Sequence, residues 1–444
     1  MSRQREGLDA ALSPSRVVGF VEQWPDLQAT GLSVDGCKVS RVRPTGDGGV
    51  ELEYRFSLHR PGTADQFTAT LLGRIYPDDR GESNYRELLA SRRGKEHLFA
   101  AANLQGLALY VPELRLLLHS SLEDKKLPGL QTALSPEAMQ PLLDEHLNTR
   151  TSEHLCEVAV LHYKPGERCT LRYRLQSGDD PESPAWPRSL IGKMYGDAED
   201  GERVLATMQE LVRRGFGRDA TDGVRIPQPF GYINDLQMVV MEELPGAPLS
   251  ETLSLPGLDE SLAMAARAAA KIHRCPLTID SEDDEPPADW IRSLKRGVSK
   301  EVDPDLTASL EAGLRLIEGL ARELPPHEAT LVHGGFYPRE VLVGGHGVAI
   351  VDMDKIHNAD PAIDLGNFIA DLRWRGLQLG WSEEKARSSS QTFLSAYRPA
   401  IPSELRQRID FYYRVFLLRR ACRVAQRPKS RALMGSLIAE VFKA

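Results

Sequence analysis

Leu331-Val332-His333-Gly334-Gly335-Phe336-Tyr337-Pro338-Arg339-Glu340-Val341-Leu342 is followed by Val351-Asp352-Met353-Asp354 and then by Asp360-Pro361-Ala362-Ile363-Asp364-Leu365. The order is a histidine–glycine turn, a short hydrophobic strand, an Asp-x-Asp and an Asp-Pro-x-x-Asp. Closely spaced carboxylates after a buried strand supply the oxygen ligands that a hard divalent cation requires. A plain polar turn would need neither the carboxylate pair nor the preceding histidine–glycine step.

The succession resembles the catalytic and metal loops of the aminoglycoside phosphotransferase and choline kinase-like family. The resemblance implies an α+β, bilobal protein kinase-like fold that uses ATP and Mg2+ to phosphorylate a small-molecule hydroxyl. In that family the loop reads His-Gly-Asp, with an Asn five residues after the Asp. The Asp accepts the proton of the attacking hydroxyl and the Asn helps hold magnesium. Here Gly335 stands at the Asp position and Glu340 at the Asn position. By the same resemblance Asp352 bridges magnesium to the phosphates and Asp354 is the second acidic position. Glu340 is a metal ligand only with altered geometry. His333 organises the loop, and Asp360 and Asp364 anchor its backbone. General-base assistance is worth roughly 10²–10⁴ in rate, whereas phosphoryl transfer rests mainly on positioning and electrostatics. Losing the carboxylate therefore implies attenuated transfer, with Tyr337, Glu340 and Asp354 as neighbouring substitutes.

Upstream, Lys193 lies inside the apolar run Leu190 to Tyr195, where a charge costs free energy unless it is paired or meets a ligand. The kinase resemblance gives it the nucleotide phosphates and a helix glutamate, Glu202 or Glu210, of which Glu202 better matches the family's helix. His162-Tyr163-Lys164-Pro165-Gly166-Glu167-Arg168 joins two strand-like runs, and Gly166 permits close backbone approach to phosphate. Alone, such a Pro-Gly hairpin reads simply as a turn. Leu236 to Gly246 resembles the last N-lobe strand and hinge, where backbone groups around Glu242, Glu243 and Leu244 hold adenine.

The strand pattern also recurs. Val50 to Phe56 resembles Cys169 to Leu175, and Leu71 to Tyr76 resembles Leu190 to Tyr195. Tyr54 falls with Tyr173 and Arg74 with Lys193, both pairs 119 residues apart. Leu114 to Leu118 matches Leu236 to Val240, and each run is followed by an acidic stretch and Leu-Pro-Gly. Three matches in one order point to duplication rather than chance. The expected organisation is a degenerate N-lobe copy at 1–148, a nucleotide-binding N-lobe at 149–245 and a helical C-lobe at 246–444. The first copy has Arg74 in place of lysine and a different turn, Pro44 to Gly49, so it is expected to bind no nucleotide.

Composition narrows the partners. A net charge of -8 argues against nucleic acid and anionic membranes. Five scattered cysteines form neither a disulfide framework nor a zinc site. The charged N-terminal stretch and the lack of a long apolar run place the chain in the cytoplasm, without membrane contact. The acidic stretch 280–285 reads as a solvated loop, although it could attract a cationic substrate. Arg373, Arg375, Arg414, Arg419, Arg420, Arg423 and Arg427 read as a solvated helix face with a few ion pairs, or a surface for an anionic substrate or protein partner. Two functions follow: an attenuated phosphotransferase, or a pseudokinase that binds nucleotide as a scaffold or regulatory protein.

Overall fold

The computed structural model describes the chain apart from residues 1, 30, 46, 60, 62–65, 93–107, 120–123, 125, 148–153, 165, 177–188, 280–286, 299–303, 346, 399, 426–432 and 444. The acidic stretch 280–285 and Arg427 lie outside the described residues. Two compact units result, one of Met1–Leu205 with Pro229–Glu243, the other of Ala206–Gln228 with Leu244–Ala444.

The first unit holds two five-stranded sheets. The first comprises Ser33–Pro44, Val50–His59, Gln66–Ile75, Ala108–Val111 and Leu116–His119. The second comprises His154–Lys164, Arg168–Gln176, Ser189–Tyr195, Pro229–Ile233 and Met238–Glu242. Counted along the chain, each sheet runs one-two-three-five-four. Alternation buries one face of each second strand: Leu52, Tyr54, Phe56 and Leu58 in one, Cys169, Leu171 and Tyr173 in the other. Each first strand carries two register breaks, at Val34/Gly36 and Val39/Arg41 and, 121 residues later, at Leu155/Glu157 and Val160/His162.

Glycine makes room for each buried tyrosine. A Cβ at Gly73 would lie 2.5 Å from the Tyr54 ring, and one at Gly192 2.6 Å from the Tyr173 ring. Each phenol then reaches a helix carbonyl: Tyr54 donates to Ala11 at 2.8 Å, and Tyr173 to Ala133 at 2.9 Å. A buried hydroxyl must find such an acceptor.

Those bonds move the expected boundary between copies. Leu127, Leu130, Ala133, Leu134, Met139 and Leu143 share a core with Val158, Tyr173 and Met238 of the second sheet. Ala11, Val17, Val21, Trp24 and Leu27 do the same for the first sheet. The helices Leu130–Leu134 and Pro136–Leu147 therefore pack with the second sheet, although the 148/149 division assigns them to the first copy. The internal matches lay in the strands, so nothing in them marked which sheet a preceding helix pair would cover.

The second unit is mainly helical, with Leu258–His273, Pro304–Arg322, Ala362–Gln378 and Ser403–Ala425 as its longest helices. Small side chains on Leu258–His273, with Ala265, Ala266, Ala268 and Ala269 fully buried, permit close helix approach. The ion pairs expected of the C-terminal arginines are present, but Arg373 and Arg414 are buried rather than solvated, while Arg423 is exposed. Arg373, 5% exposed, binds Glu383 at 2.5 Å and Glu440 at 2.9 Å. Arg414 binds Asp410 at 2.8 Å, Arg420 pairs with Asp371, and Arg408 pairs with Asp360. Arg373 and Arg420 tie helices together, whereas Arg414 and Asp410 lie one turn apart on the same helix; a buried guanidinium needs a carboxylate partner.

Candidate functional site

Two short antiparallel strands, Thr330–Val332 and His357–Ala359, pair Val332 with His357 and so hold the 333–335 turn beside the 352–355 turn. Gly334 sits at φ +71 against the Lys355 carbonyl, a position closed to any side chain. Asp364, fully buried, fixes the turn from below: its carboxylate accepts the backbone N–H of His333 at 2.7 Å and of Gly334 at 3.0 Å. His273 lies 3.1 Å from the same carboxylate and 3.0 Å from the Tyr397 hydroxyl. Burial alone would raise the Asp364 pKa, but the His273 hydrogen bond and charge, with help from His333, hold it below the ordinary carboxylate value. Asp364 is thus an anion whose task is backbone placement; Asp360 likewise accepts a backbone N–H, that of Ala362, at 3.0 Å.

His333 is buried and its Nε2 donates to the Val351 carbonyl at 2.9 Å, which ties the turn to the strand entering Asp352. That bond leaves Nδ1 as the acceptor nitrogen of the neutral ring, and Nδ1 is buried without a hydrogen-bond partner. Gly335 has no such constraint. A Cβ there would lie 3.7 Å from His333 Nδ1 and 3.9 Å from the Tyr337 ring, ordinary contact distances. The backbone of the turn is in place, and a Cβ at 335 would be accepted without a clash.

The neighbours named as substitute bases are otherwise engaged. Glu340, 6% exposed, receives both Nε and Nη2 of Arg339 on one oxygen, at 3.0 and 2.8 Å. The sequence offered Glu340 to the metal and did not anticipate that its neighbour would take it. Burial, with the nearby Glu340 charge, pushes the Tyr337 phenol up to about 12, so it is a donor at neutral pH. Asp352 adopts the left-handed conformation, φ 66 and ψ 62, at the start of the short helical turn Met353–Lys355, which contains Asp354. Among the described residues no three His, Cys, Asp or Glu side chains converge as a metal cage. Magnesium commonly binds with one or two carboxylates plus phosphate oxygens and water, and Asp352 and Asp354 match that smaller donor set.

In the first unit Lys193 occupies the centre of the second sheet, paired across to Thr170 and Val239, 9% exposed. Its ammonium lies 5.8 Å from the Tyr195 ring centroid. Glu202 is exposed on the helix Ala198–Leu211, while Glu210, in the other unit, pairs with Arg213 at 2.6 Å and Arg214 at 2.8 Å. Glu242 is buried in the last strand opposite Leu190, and Glu243 clasps Arg172, with Oε1 2.5 Å from Nη2. Leu244 is buried in the second unit. Gly166, at φ +71, forms the tip of the turn after His154–Lys164. Its N–H is held by Asp124, a residue with no signal in the sequence, at 2.6 Å.

A sheet bearing a central lysine, together with a helical unit bearing an anchored histidine–glycine turn and an Asp-x-Asp, defines a protein kinase-like fold of the small-molecule phosphotransferase class. The chain belongs to the phosphotransferase enzyme family, whose model matches residues 173–412, more than half of its length. Among solved structures it is similar to a thermostable mutant of aminoglycoside phosphotransferase APH(4)-Ia in the apo form, with 16% identity and a TM-score of 0.46 over 68% of this chain and 97% of that one. The choline kinase of Cryptosporidium parvum Iowa II is 11% identical, with a TM-score of 0.48 over 69% and 94%. The amicoumacin kinase hAmiN, in complex with AMP-PNP, Ca2+ and Ami, is 13% identical, with a TM-score of 0.45 over 64% and 87%. No curated protein matches the chain. Among the described residues no helix is long and apolar enough to cross a membrane.

Proposed function

We propose that the chain binds ATP with a divalent cation and transfers phosphate, at an attenuated rate, to the hydroxyl of a small molecule. The observation that carries this reading is the 333–335 turn: its backbone is locked by Asp364 while Gly335 leaves the proton acceptor's place open. Lys193 would neutralise phosphate oxygens. Glu202, exposed on the helix Ala198–Leu211, would be its helix carboxylate. Hinge backbone at Glu242, Glu243 and Leu244 would receive adenine, and Asp352 with Asp354 would hold Mg2+. The cation would screen charge on the transferred phosphoryl group. Without a carboxylate at 335, the hydroxyl proton would pass to solvent, phosphate or His333 Nδ1, each a poorer arrangement than a positioned carboxylate.

The second reading, a pseudokinase that binds nucleotide for scaffold or regulatory purposes, draws support from the Arg339–Glu340 pair, which removes one metal ligand position. Both readings need nucleotide. Mg-ATP should raise the melting temperature, since a ligand bound only by the folded state must stabilise it. Lys193→Ala and Asp352→Asn should each weaken the effect. No shift at millimolar Mg-ATP would overturn both readings. Turnover of about 1 s⁻¹ or more, the range of ordinary kinases, would remove the pseudokinase.

The matching order, bulges and tyrosine anchors of the two sheets support a duplicated N-lobe within the first unit, whose second copy alone serves nucleotide. The first is proposed to serve packing, partner contact or substrate shaping.

A further inference from the structure

The glycine turn of the second sheet already holds an anion, supplied by its own chain. Asp124 Oδ2 accepts the Gly166 N–H at 2.6 Å and the Tyr163 hydroxyl at 3.1 Å. The rest of the described turn looks after itself. The Glu167 N–H bonds the Lys164 carbonyl at 3.0 Å, the Glu167 carbonyl accepts the Gly196 N–H at 2.7 Å, and the Lys164 and Glu167 side chains pair. Among these groups the Gly166 N–H is the one that points at a side-chain oxygen. An outward backbone N–H at a left-handed glycine is a binding position for phosphate or carboxylate alike.

Asp124 is delivered from a firm base. Its Oδ1 accepts the Lys126 N–H at 3.0 Å, and its carbonyl accepts the N–H of Leu127, which is 1% exposed in the second sheet's core. Gly129, at φ +69, packs against Leu236 of the same sheet. One carboxylate oxygen thus shapes the segment and the other faces the turn.

We infer that Asp124 competes with nucleotide phosphate for the Gly166 turn, so that the free chain is held in a carboxylate-occupied state which ATP must displace. The inference rests on the proposed nucleotide site and names how that site is regulated. A phosphate arriving at Gly166 meets both an occupied N–H and a like charge, and the two act in the same direction.

Calorimetric titration of the full chain with Mg-ATP and with adenosine tests this, using the unmodified protein, Asp124→Asn, Asp124→Ala and Lys193→Ala. Asparagine keeps an oxygen for the Lys126 N–H, and its amide NH2, a donor, cannot accept from Gly166. The expected result is Mg-ATP binding about tenfold tighter in both Asp124 variants, with adenosine binding unchanged and melting temperatures retained. Equal or weaker Mg-ATP binding in folded Asp124 variants, with binding lost in Lys193→Ala, would overturn the competition and leave the nucleotide site standing. Equal gains for adenosine would also overturn it, because the competitor acts only on phosphate. Binding in none of the four proteins would overturn the nucleotide reading and the inference together.

Discussion

The two sheets of the first unit share strand order, bulges, glycine–tyrosine packing and a cation stacked near a tyrosine two residues on, yet they treat that cation differently. Arg74, 5.1 Å over the Tyr76 ring, is bound at 2.9 Å by Asp47 of its own glycine turn, which Arg80 also approaches at 3.3 Å. Hydrogen bonds from Thr45 and Gly49 bring the Asp47 pKa down to about 2, so it is an anion across the working pH range. Lys193, at the matching place, lies 5.8 Å from the Tyr195 ring; the carboxylate of its sheet's own glycine turn, Glu167, pairs with Lys164, and Asp124 holds the Gly166 N–H. The strand order is the same in both sheets, while in the first the turn's own acid binds the strand's cation. Two sheets of one strand order can thus differ in what a single turn carboxylate binds.

The comparison sharpens most where the second sheet's putting of phosphate to use would show. Gly335→Asp should raise ATP hydrolysis or phosphotransfer about 10²-fold by restoring the proton acceptor, measured at Mg-ATP concentrations that saturate both proteins. A Cβ at 335 meets only ordinary contact distances, so an unchanged rate in a folded variant would count for the pseudokinase.

Lys193→Ala and Arg74→Ala form the next pair. Charge-assisted bonds contribute about 1.5–3 kcal/mol, so Lys193→Ala should weaken Mg-ATP binding about 10- to 100-fold. Arg74→Ala should leave it unchanged. Equal losses by titration would mean that both sheets bind nucleotide, breaking the division between them.

Gly73→Ala and Gly192→Ala should behave alike. Each methyl would enter a tyrosine ring's space, and overpacking of this kind costs about 1–3 kcal/mol, read as a lowered midpoint in denaturant. A harmless Gly73→Ala would show that the first sheet is packed more loosely than its twin. The smallest effect belongs to the phenols: Tyr54→Phe and Tyr173→Phe each remove one buried hydrogen bond, worth about 1 kcal/mol. Matching losses in chemical denaturation would confirm that the helix anchors are equivalent.

Much of this was legible in the sequence. The His333-Gly334 turn, Asp352, Asp354 and the strand carrying Lys193 combine local patterning with unusual residue types, and local backbone follows such signals. Tyr54 and Tyr173, matched by number alone, turned out to anchor the same helix carbonyl in each copy. Ion pairs were expected in the arginine-rich C-terminal helices, but composition cannot tell a solvated guanidinium such as Arg423 from one facing Asp371 or Glu440 across a helix interface. Glu340 was offered to a metal for the same reason: its pairing with Arg339 depends on rotamers rather than on sequence spacing.

The sequence by itself determined the kinase-like class, the missing acid at Gly335 and the repeated strand pattern, because these depend on residue identity and short-range order. Tertiary structure alone decided that helices 130–147 cover the second sheet and that Asp364, expected to anchor the histidine–glycine turn, receives the His333 and Gly334 N–H groups while facing His273. It also decided that Asp124, 42 residues from Gly166 in sequence, holds the glycine turn. Hydrogen bonds and ion pairs form between groups that the fold brings within about 3 Å, and separation along the chain does not say which groups those will be.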